Sequence, residues 1–329
     1  MTTVAKSATT LRVAAVQMDS RHGDIVANLE HAAYLCEQAA GQGAQLALLP
    51  ELMPGGHQLT PALWRTGEPR GGQSERWLAA TARRLGLYLG TSYLEVEGED
   101  FYNTFALAGP DGAIAGRVRK QTPAMAETFF FRAGPSRHVI EAPFGRVGVG
   151  ICNDNHTRYL LHTLQAEGVD LHLMPHAWCL PARASRAVNE KDILHQRSLL
   201  LGLAPTYARL LGVPAVLVNR CGPCGGPTPP GLVAKLLPPP SDYVYPGLST
   251  IADAGGEVLA QLAGDEDFVV AEVHLDPARR AAVPRLPEGT RPYASTAGKF
   301  IVSIDEALGR FRYARSAERK QRAAAVQGA

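Results

Sequence analysis

Three residues that can do chemistry each follow, in the sequence, an apolar run that is typical of a strand. They are Glu51, Lys120 and Cys152. The carboxyl ends of strands in an α/β sheet line the ligand crevice, so the three side chains can converge although they are far apart in the sequence. Taken singly, each has a plainer explanation, because free cysteines are often buried and Lys120 belongs to a basic cluster with Arg117 and Arg119.

A thiol, a carboxylate and an ammonium together suit nucleophilic catalysis. A cysteine with a pKa of about 8.5 is mostly protonated at neutral pH, so it needs a base or a neighbouring cation. Glu51 can accept the thiol proton, pass it to a leaving nitrogen and later deprotonate water. Lys120, with the backbone N–H that follows Cys152, can stabilise the oxyanion formed when an amide carbonyl is attacked. None of these steps needs a metal or an organic cofactor.

The elements that must position these residues alternate between apolar runs and helical stretches. A strand at residues 11–18 precedes a helix whose apolar face is predicted to comprise Val26, Leu29, Ala33, Cys36 and Ala40. Further strands are predicted at 46–49, 87–93, 101–108, 114–118, 147–151, 169–174, 213–219, 250–252, 258–262 and 268–273, and further helices at 159–167 and 194–211. A helix between two continuously apolar strands is the pattern of a βαβ crossover. The sequence therefore predicts an α/β fold.

Three segments differ from this pattern. Residues 222–246 are rich in glycine and proline and include Pro238-Pro239-Pro240, which cannot continue a helix or a central strand. We expect a long loop there, inserted into a domain of residues 11–305, that acts as a lid or selects the substrate. Residues 1–10 are expected to be a flexible N-terminus. The charged tail, residues 306–329, is predicted to be a solvated helix or an oligomerisation arm.

Composition narrows the class of partner. The 329 residues carry 33 basic and 31 acidic side chains, and a net charge of +2 does not favour nucleic acid or an anionic membrane as a ligand. A small molecule is the expected partner. The sequence contains no run of about 18 apolar residues, and its start lacks the apolar core of a secretory signal, so a cytoplasmic location is expected.

Five cysteines are too few for a disulfide framework in a chain of this length. Cys221 and Cys224 have the spacing of a metal or redox motif, but no second pair has matching spacing, and no metal site is predicted. Cys36 and Cys179 are interpreted as packing residues.

Longer motifs surround the three reactive residues. They are Leu48-Leu49-Pro50-Glu51-Leu52, Gly116-Arg117-Val118-Arg119-Lys120 and Gly148-Val149-Gly150-Ile151-Cys152-Asn153-Asp154. Other landmarks are Gly23-Asp24, Asn28, Tyr102-Asn103-Thr104, Asp111-Gly112, Val218-Asn219-Arg220-Cys221-Gly222 and Gly247-Leu248-Ser249. In this order, and over nearly the whole chain, these motifs resemble those of the nitrilase superfamily of carbon–nitrogen hydrolases.

The resemblance implies a four-layer αββα sandwich of mixed β-sheets, with helices on the outer faces. It also implies a catalytic triad of Glu51, Lys120 and Cys152, a second glutamate at Glu127 that orients Lys120 or the substrate, and a supporting role for Asn153. Members of this superfamily commonly form dimers or higher homo-oligomers. The implied reaction is hydrolysis of a small amide or N-carbamoyl compound through a cysteine-bound acyl-enzyme, releasing ammonia or an amine.

The residues after Cys152 depart from common patterns of the superfamily. The run Asn153-Asp154-Asn155-His156-Thr157-Arg158-Tyr159 lacks the usual Pro-Glu, and its Asn-Asp start is closer to amidase and carbamoylase branches than to true nitrilases. His156, His176 and Trp178 are expected to line the substrate pocket, and the role of His172 is open. Nitrile hydrolysis, acyl transfer and a catalytically silent scaffold remain alternatives, because amides and nitriles both pass through a cysteine-bound intermediate.

Overall fold

The computed structural model of the protein describes residues 8–135, 137–184, 188–225, 229–232, 235, 239–288, 290 and 299–328. The helices are α1 (Ile25–Gly41), α2 (Gln73–Leu85), α3 (Arg158–Glu167), α4 (Glu190–Leu211), α5 (Pro277–Ala282), α6 (Lys299–Arg315) and α7 (Ala317–Gln327). Short 3₁₀ helices lie at Pro61–Thr66, Met125–Phe129, Cys152–His156 and Pro240–Asp242. The strands are β1 (Thr9–Gln17), β2 (Leu46–Leu48), β3 (Tyr88–Glu97), β4 (Asp100–Ala108), β5 (Ile114–Arg119), β6 (Val139–Ala142), β7 (Gly145–Val149), β8 (Leu171–Pro175), β9 (Leu180–Pro181), β10 (Ala215–Val218), β11 (Cys221–Pro223), β12 (Tyr243–Pro246), β13 (Thr250–Ala252), β14 (Val258–Gln261) and β15 (Asp267–Leu275).

Most strands belong to two six-stranded mixed sheets. The first has the order β15-β1-β2-β3-β4-β5 and the second the order β14-β13-β10-β8-β7-β6. In the first sheet β1, β2 and β3 are parallel, and in the second β7, β8 and β10 are parallel. Antiparallel strands complete both sheets, as hairpins such as β3–β4 and β6–β7. The parallel core of each sheet explains why its short strands are buried along their whole length.

The two sheets pack face to face around one apolar layer. Val13 and Leu48 of the first sheet lie in the same buried cluster as Val149, Leu173 and other residues of the second sheet. A second cluster joins the outer face of the first sheet to α1 and α2, and a third joins the outer face of the second sheet to α3 and α4. The architecture is therefore α/β with four αββα layers, as predicted.

Helix α1 buries only part of the predicted face, namely Leu29 and Cys36. Asp24 caps its start by accepting a hydrogen bond from the Ala27 N–H. Val26 is 57% exposed, and Ala33 and Ala40 are only partly buried. The buried side chains are Asn28, Leu29, Ala32, Leu35, Cys36 and Ala39. The apolar and small residues of this helix fit two neighbouring stripes, and packing on the sheet selects the one that includes Leu35.

The loop predicted at residues 222–246 is shorter than predicted, because both ends of this segment form strands. β11 and β12 pair with each other, and β12 pairs with β9, so the three form a small separate sheet. The Pro-rich run ends in the 3₁₀ helix Pro240–Asp242. Pro238 and residues 226–228, 233–234 and 236–237 lie outside the described residues.

The predicted tail consists of helices that pack on their own chain. The Arg319 side chain of α7 is 3% exposed and reaches Asp100, and Tyr313 of α6 hydrogen bonds to the Phe101 N–H. A role of this segment in oligomerisation stays a prediction. At the other end, residues 1–7 lie outside the described part of the chain, and β1 already begins at Thr9. No described helix combines the length and the apolar character needed to cross a membrane.

Candidate active site

Glu51 and Lys120 meet at the carboxyl edge of the first sheet. Glu51 follows β2 and Lys120 follows β5, and both side chains are fully buried. The Lys120 Nζ lies 2.7 Å from Glu51 Oε1, which also accepts a hydrogen bond of 2.7 Å from the Asn103 side chain. Glu51 Oε2 has no hydrogen-bond partner among the described residues. This buried oxygen is therefore available to accept a proton.

Lys120 is held between two carboxylates. Its Nζ also lies 2.8 Å from Glu127 Oε1 and 2.7 Å from Glu127 Oε2, so the resemblance-based expectation that Glu127 adjoins Lys120 matches the geometry. Burial by itself lowers the pKa of Lys120, but the charges of Glu127 and Glu51 outweigh it and raise this pKa above its usual value. Burial likewise opposes ionisation of Glu127, yet Lys120 and His57 lower the pKa of this carboxyl.

Each member of the basic cluster at residues 117–120 pairs with a different carboxylate. Arg117 forms a two-pronged ion pair with Glu75, at 2.5 and 2.7 Å. Arg119 is bound by Glu95, while Lys120 points to the site. Successive side chains of a strand point to opposite faces, so Arg119 and Lys120 cannot share a partner. Each cation of the cluster is thus paired with a carboxylate of its own chain.

Cys152 lies on a tight turn between β7 and the 3₁₀ helix Cys152–His156. Its φ is +45°, in the left-handed region that costs energy for a residue with a side chain. A Cβ on Gly150 would lie 2.3 Å from the Asn155 side chain and 2.5 Å from Leu160. The glycine two positions before the cysteine thus lets the 3₁₀ helix and the start of α3 pack directly on the strand end. The turn holds the thiol at the edge of the second sheet.

Asp154 ties this turn to the segment that carries Lys120. Its Oδ1 accepts hydrogen bonds from the Gln121 and Thr122 N–H groups, at 3.1 and 2.8 Å, and its Oδ2 accepts one from Ile151 N–H at 3.2 Å. The Asn153 side chain donates to the Thr122 carbonyl at 3.0 Å. These two side chains fix the position of the thiol relative to the lysine.

The surroundings of Cys152 favour the protonated thiol. Burial and the negative charge of Glu51 raise its pKa well above the usual value. The ammonium of Lys120 and a hydrogen bond from the Ala177 N–H act in the opposite direction without reversing the shift. Because these surroundings keep the Cys152 thiol protonated, it needs a base to remove its proton when it reacts.

Three residues expected to line the pocket pack against one another, and one of them, His156, ends the 3₁₀ helix that begins at Cys152. The ring of His156 packs edge-on against Trp178, with ring centroids 4.6 Å apart. The centroids of the His156 and His176 rings are 6.1 Å apart. Burial lowers the pKa of His176 to about 4 and that of His156 well below its usual value, with the charge of Lys120 adding to both shifts. Both imidazoles are therefore neutral at pH 7. His172 instead lies in the core and hydrogen bonds to Asn155, so it supports the turn.

Sequence reasoning missed two residues that reach the charged cluster. His57 Nε2 lies 2.9 Å from Glu127 Oε1, and its Nδ1 lies 3.3 Å from the Tyr245 hydroxyl. His57 follows no strand, and Tyr245 falls inside the segment predicted as a loop. No spacing signal connects either of them to Glu127. Asn103 was part of a recognised motif, but its hydrogen bond to Glu51 had no sequence signal.

A metal ion is not needed to balance this cluster. Glu51, His57 and Glu127 hold ligand atoms within 4.8 Å of one another, the only such group in the part of the chain that the structure describes. The Lys120 ammonium already lies 2.7 Å from both carboxylates. A divalent ion bound there would face this buried positive charge.

Known proteins resemble this chain in sequence and in fold. The omega-amidase NIT2 of Danio rerio is 28% identical over 263 residues, covering 75% of this chain and 83% of the relative. A bifunctional nitrilase/nitrile hydratase NIT4 of rice, Oryza sativa subsp. japonica, is 28% identical over 285 residues, covering 77% and 70%. The crystal structure of a carbon–nitrogen hydrolase from Helicobacter pylori G27 superimposes with a TM-score of 0.71 at 22% identity, covering 83% and 91%. Residues 12–284 match the family described as carbon–nitrogen hydrolase. The chain therefore belongs to the carbon–nitrogen hydrolase family of the nitrilase superfamily.

Proposed function

We propose that the protein hydrolyses a small amide through a covalent intermediate on Cys152. The observation that carries the proposal is the convergence of a half-buried thiol, a carboxylate with one oxygen that lacks a partner among the described residues, and a lysine held by two carboxylates. Glu51 removes the thiol proton as the sulfur attacks the carbonyl carbon. The Lys120 ammonium and the Asn153 N–H stabilise the negative oxygen that forms.

Glu51 then returns the proton to the nitrogen, so that ammonia or an amine leaves and a thioester remains on Cys152. The same carboxylate deprotonates a water molecule that attacks the thioester, and it returns this proton to the Cys152 sulfur as the acid is released. Glu127 keeps Lys120 in place, and Asn103, Asp154 and His57 act as positioning residues. Every step uses side chains of this chain, with no organic cofactor.

The pocket favours an uncharged acyl group. His156 and His176 are neutral there, and Trp178 adds an apolar wall. None of the three offers a fixed charge to an anionic substrate. The match with an omega-amidase supports amides as the substrate class, and N-carbamoyl compounds use the same bond chemistry.

A panel assay tests the proposal. Ammonia release is measured with small amides, N-carbamoyl compounds and nitriles, for the wild type and for Cys152→Ala. We expect turnover of neutral amides that the variant lacks. Faster turnover of nitriles would favour nitrile hydrolysis, to which the match with the rice protein also points. Product formation only with an added amine would indicate acyl transfer, and no turnover across the panel would favour a silent scaffold.

A further inference from the structure

Helices α6 and α7 follow the part of the chain that matches the family, yet they pack beside the site. The match covers residues 12–284, and α6 begins at Lys299. Leu308 of α6 and Ala323 of α7 pack on the apolar cluster that contains the phenylalanines at positions 129–131. These phenylalanines come shortly after Glu127 in the chain. Both helices therefore lie against the segment that carries the carboxylate partner of Lys120.

The closest contact joins α6 to the 3₁₀ helix Met125–Phe129, which carries Glu127. Gly309 of α6 is buried against this 3₁₀ helix. A Cβ at position 309 would overlap the Thr128 hydroxyl and lie 2.8 Å from the Phe129 ring. The two helices thus touch at a position where only glycine fits, and a side chain there would push them apart.

A side chain of α6 also supports the start of the 3₁₀ helix. The Met125 N–H donates to Glu306 Oε1 at 3.3 Å, and the Met125 carbonyl accepts from the Thr128 hydroxyl at 2.7 Å. Met125 has a φ of +43°, in the left-handed region that is costly for a residue with a side chain. The neighbouring Ala124 N–H donates to Glu127 Oε2 at 2.6 Å. Glu306 thus supports a strained turn that is bonded directly to the Glu127 carboxylate.

The same helix binds the segment between β11 and β12. Asp305 is 1% exposed, and its Oδ1 accepts a hydrogen bond of 2.6 Å from the Leu232 N–H. A Cβ on Gly231, whose φ is +128°, would lie 2.5 Å from Asp305 Oδ2. β12 follows this segment and carries Tyr245, whose hydroxyl lies 3.3 Å from His57 Nδ1. α6 is therefore connected to the site from a second direction.

The two segments that α6 contacts meet at Glu127. One is the 3₁₀ helix to which this residue belongs, and the other leads through Tyr245 to His57, whose Nε2 lies 2.9 Å from Glu127 Oε1. The Lys120 ammonium lies 2.7 Å from Glu127 Oε2. A shift of α6 would therefore move Glu127 and with it the lysine. Misplacing a catalytic group by about 1 Å can cost about 10²-fold in rate.

We propose that α6 positions Glu127, and through it Lys120, for the reaction, with Glu306 and Gly309 as positioning residues. This role rests on the proposed function, in which the Lys120 ammonium stabilises the negative oxygen. That oxygen forms only when the sulfur of Cys152 attacks the carbonyl carbon. A misplaced lysine therefore slows acylation and leaves substrate binding nearly unchanged.

Single-turnover kinetics of the full chain separate positioning from a loss of folded protein. Enzyme in saturating excess is mixed with a neutral amide that the panel assay identifies as a substrate, and the loss of this amide is followed by quenching and mass spectrometry. Unfolded molecules do not change the limiting rate constant while folded enzyme stays in excess. We expect Gly309→Ala to lower this rate constant at least about tenfold and Glu306→Ala about threefold, with a nearly constant half-saturating enzyme concentration.

Two matched controls isolate the contact between Glu306 and Met125. Glu306→Gln keeps an oxygen that accepts from the Met125 N–H, and Arg310→Ala removes only an ion pair of 3.9 Å in which the arginine is 63% exposed. Both controls should keep the wild-type rate constant. Wild-type rate constants in Glu306→Ala and Gly309→Ala, or equal losses in Glu306→Ala and Arg310→Ala, would overturn the proposal. If Gly309→Ala does not fold, Glu306→Ala decides, because alanine favours the helix at this partly exposed position.

Hydrogen exchange without substrate keeps this test separate from that of the proposed function. Exchange of backbone N–H groups is measured by mass spectrometry for the peptide that covers residues 121–131. We expect faster exchange there in Glu306→Ala and Gly309→Ala than in the wild type, with unchanged exchange in β1. A wild type that turns over no substrate would contradict the proposed function alone. Unchanged exchange in both variants would show that α6 does not hold the Glu127 segment.

Discussion

Two carboxylates and one ammonium surround the Cys152 thiol, so the charge that it meets is net negative. This balance explains why burial and Glu51 raise the pKa of Cys152 although Lys120 lies close by. In the proposed mechanism the thiol therefore loses its proton only when the substrate is attacked, and Glu51, which has a buried oxygen without a partner among the described residues, is the proposed base.

The substitution Glu51→Gln should remove the base and keep the fold. The new side-chain amide keeps an oxygen for the hydrogen bonds from Asn103 and Lys120, and Glu127 still balances the lysine. We expect kcat to fall by about 10²–10⁴-fold with a nearly unchanged melting temperature. The control is Glu97→Gln, whose side chain is 57% exposed and which should retain full activity. Comparable kcat values for the two variants would remove Glu51 from the mechanism.

His176 should make the protein less stable in mild acid. Its Nδ1 donates to the Met174 carbonyl at 2.9 Å, its Nε2 has no partner among the described residues, and protonation there would bury a second charge near Lys120. The pKa falls from about 6.5 in the unfolded chain to about 4 in the folded one. The unfolded state therefore takes up a proton first, and stability is lost as the pH falls from 6.5 towards 4.

The comparison of wild type with His176→Asn measures this contribution. Urea unfolding at pH 6.5 and 4.5 should show that the wild type loses more free energy of unfolding than the variant, by up to about 1.4 kcal/mol per pH unit. Equal losses in the two proteins would mean that His176 titrates normally when folded.

At the scale of single residues, the sequence points to those site residues that lie within a recognisable motif. Glu51, Lys120, Cys152 and Glu127 could be found because each stands at a recognisable position. His57 and Tyr245 could not, because His57 meets Glu127, and Tyr245 meets His57, only after distant segments fold together.

At the scale of elements, the turn at Cys152 depends on the close approach of a helix to a strand end. Gly150 permits this approach, and the hydrogen bonds of Asp154 and Asn155 hold the turn in its left-handed conformation. Most strands of the two large sheets and the helices α3 and α4 were predictable from apolar periodicity. The full buried face of α1 and the short strands β6, β9, β11 and β12 were not, because they depend on how the sheets pair and pack.

Gly150→Ala should disturb the turn, and Gly202→Ala in α4 is its matched control. The new methyl group at position 150 would overlap the Asn155 side chain and Leu160, whereas nothing lies within 4 Å of a Cβ at position 202. We expect Gly150→Ala to lose about 1–3 kcal/mol of stability and most activity. Gly202→Ala should be neutral or more stable by up to about 1 kcal/mol. Thermal melts and ammonia release measure both, and a fully active Gly150→Ala would contradict this role of the turn.

At the scale of the whole molecule, the site is assembled from both sheets. Glu51 and Lys120 stand at the ends of strands of the first sheet, and Cys152 stands at the edge of the second. The Glu51 N–H donates to the His176 carbonyl across this junction at 3.3 Å. The packing of the two sheets therefore sets the distance between base and nucleophile. Sequence periodicity predicts each sheet, but the stacking depends on contacts between residues more than a hundred positions apart.

The C-terminal helix α7 should contribute to stability, because it packs on the first sheet of its own chain. Arg319 is 3% exposed, with hydrogen bonds to Asp100 at 2.8 Å and to the Tyr313 carbonyl at 3.1 Å. Arg319→Ala removes a nearly buried cation from Asp100, which keeps Arg132 and the Tyr313 hydroxyl as partners, and should cost about 2 kcal/mol. Lys320→Ala removes an exposed ion pair with Glu99 and should cost under about 1 kcal/mol. Denaturant unfolding compares the two, and equal effects would contradict the packed position of α7.

The central claim is that Cys152 carries the acyl group of the substrate, and intact-mass spectrometry of rapidly quenched reactions tests it most directly. A neutral amide that is turned over in the panel is mixed with the enzyme and quenched in acid before the steady state. We predict a mass increase equal to the acyl group, located on the Cys152 peptide, labile to hydroxylamine and absent in Cys152→Ala. Turnover without an adduct at Cys152, or an adduct of the same mass in Cys152→Ala, would contradict the account.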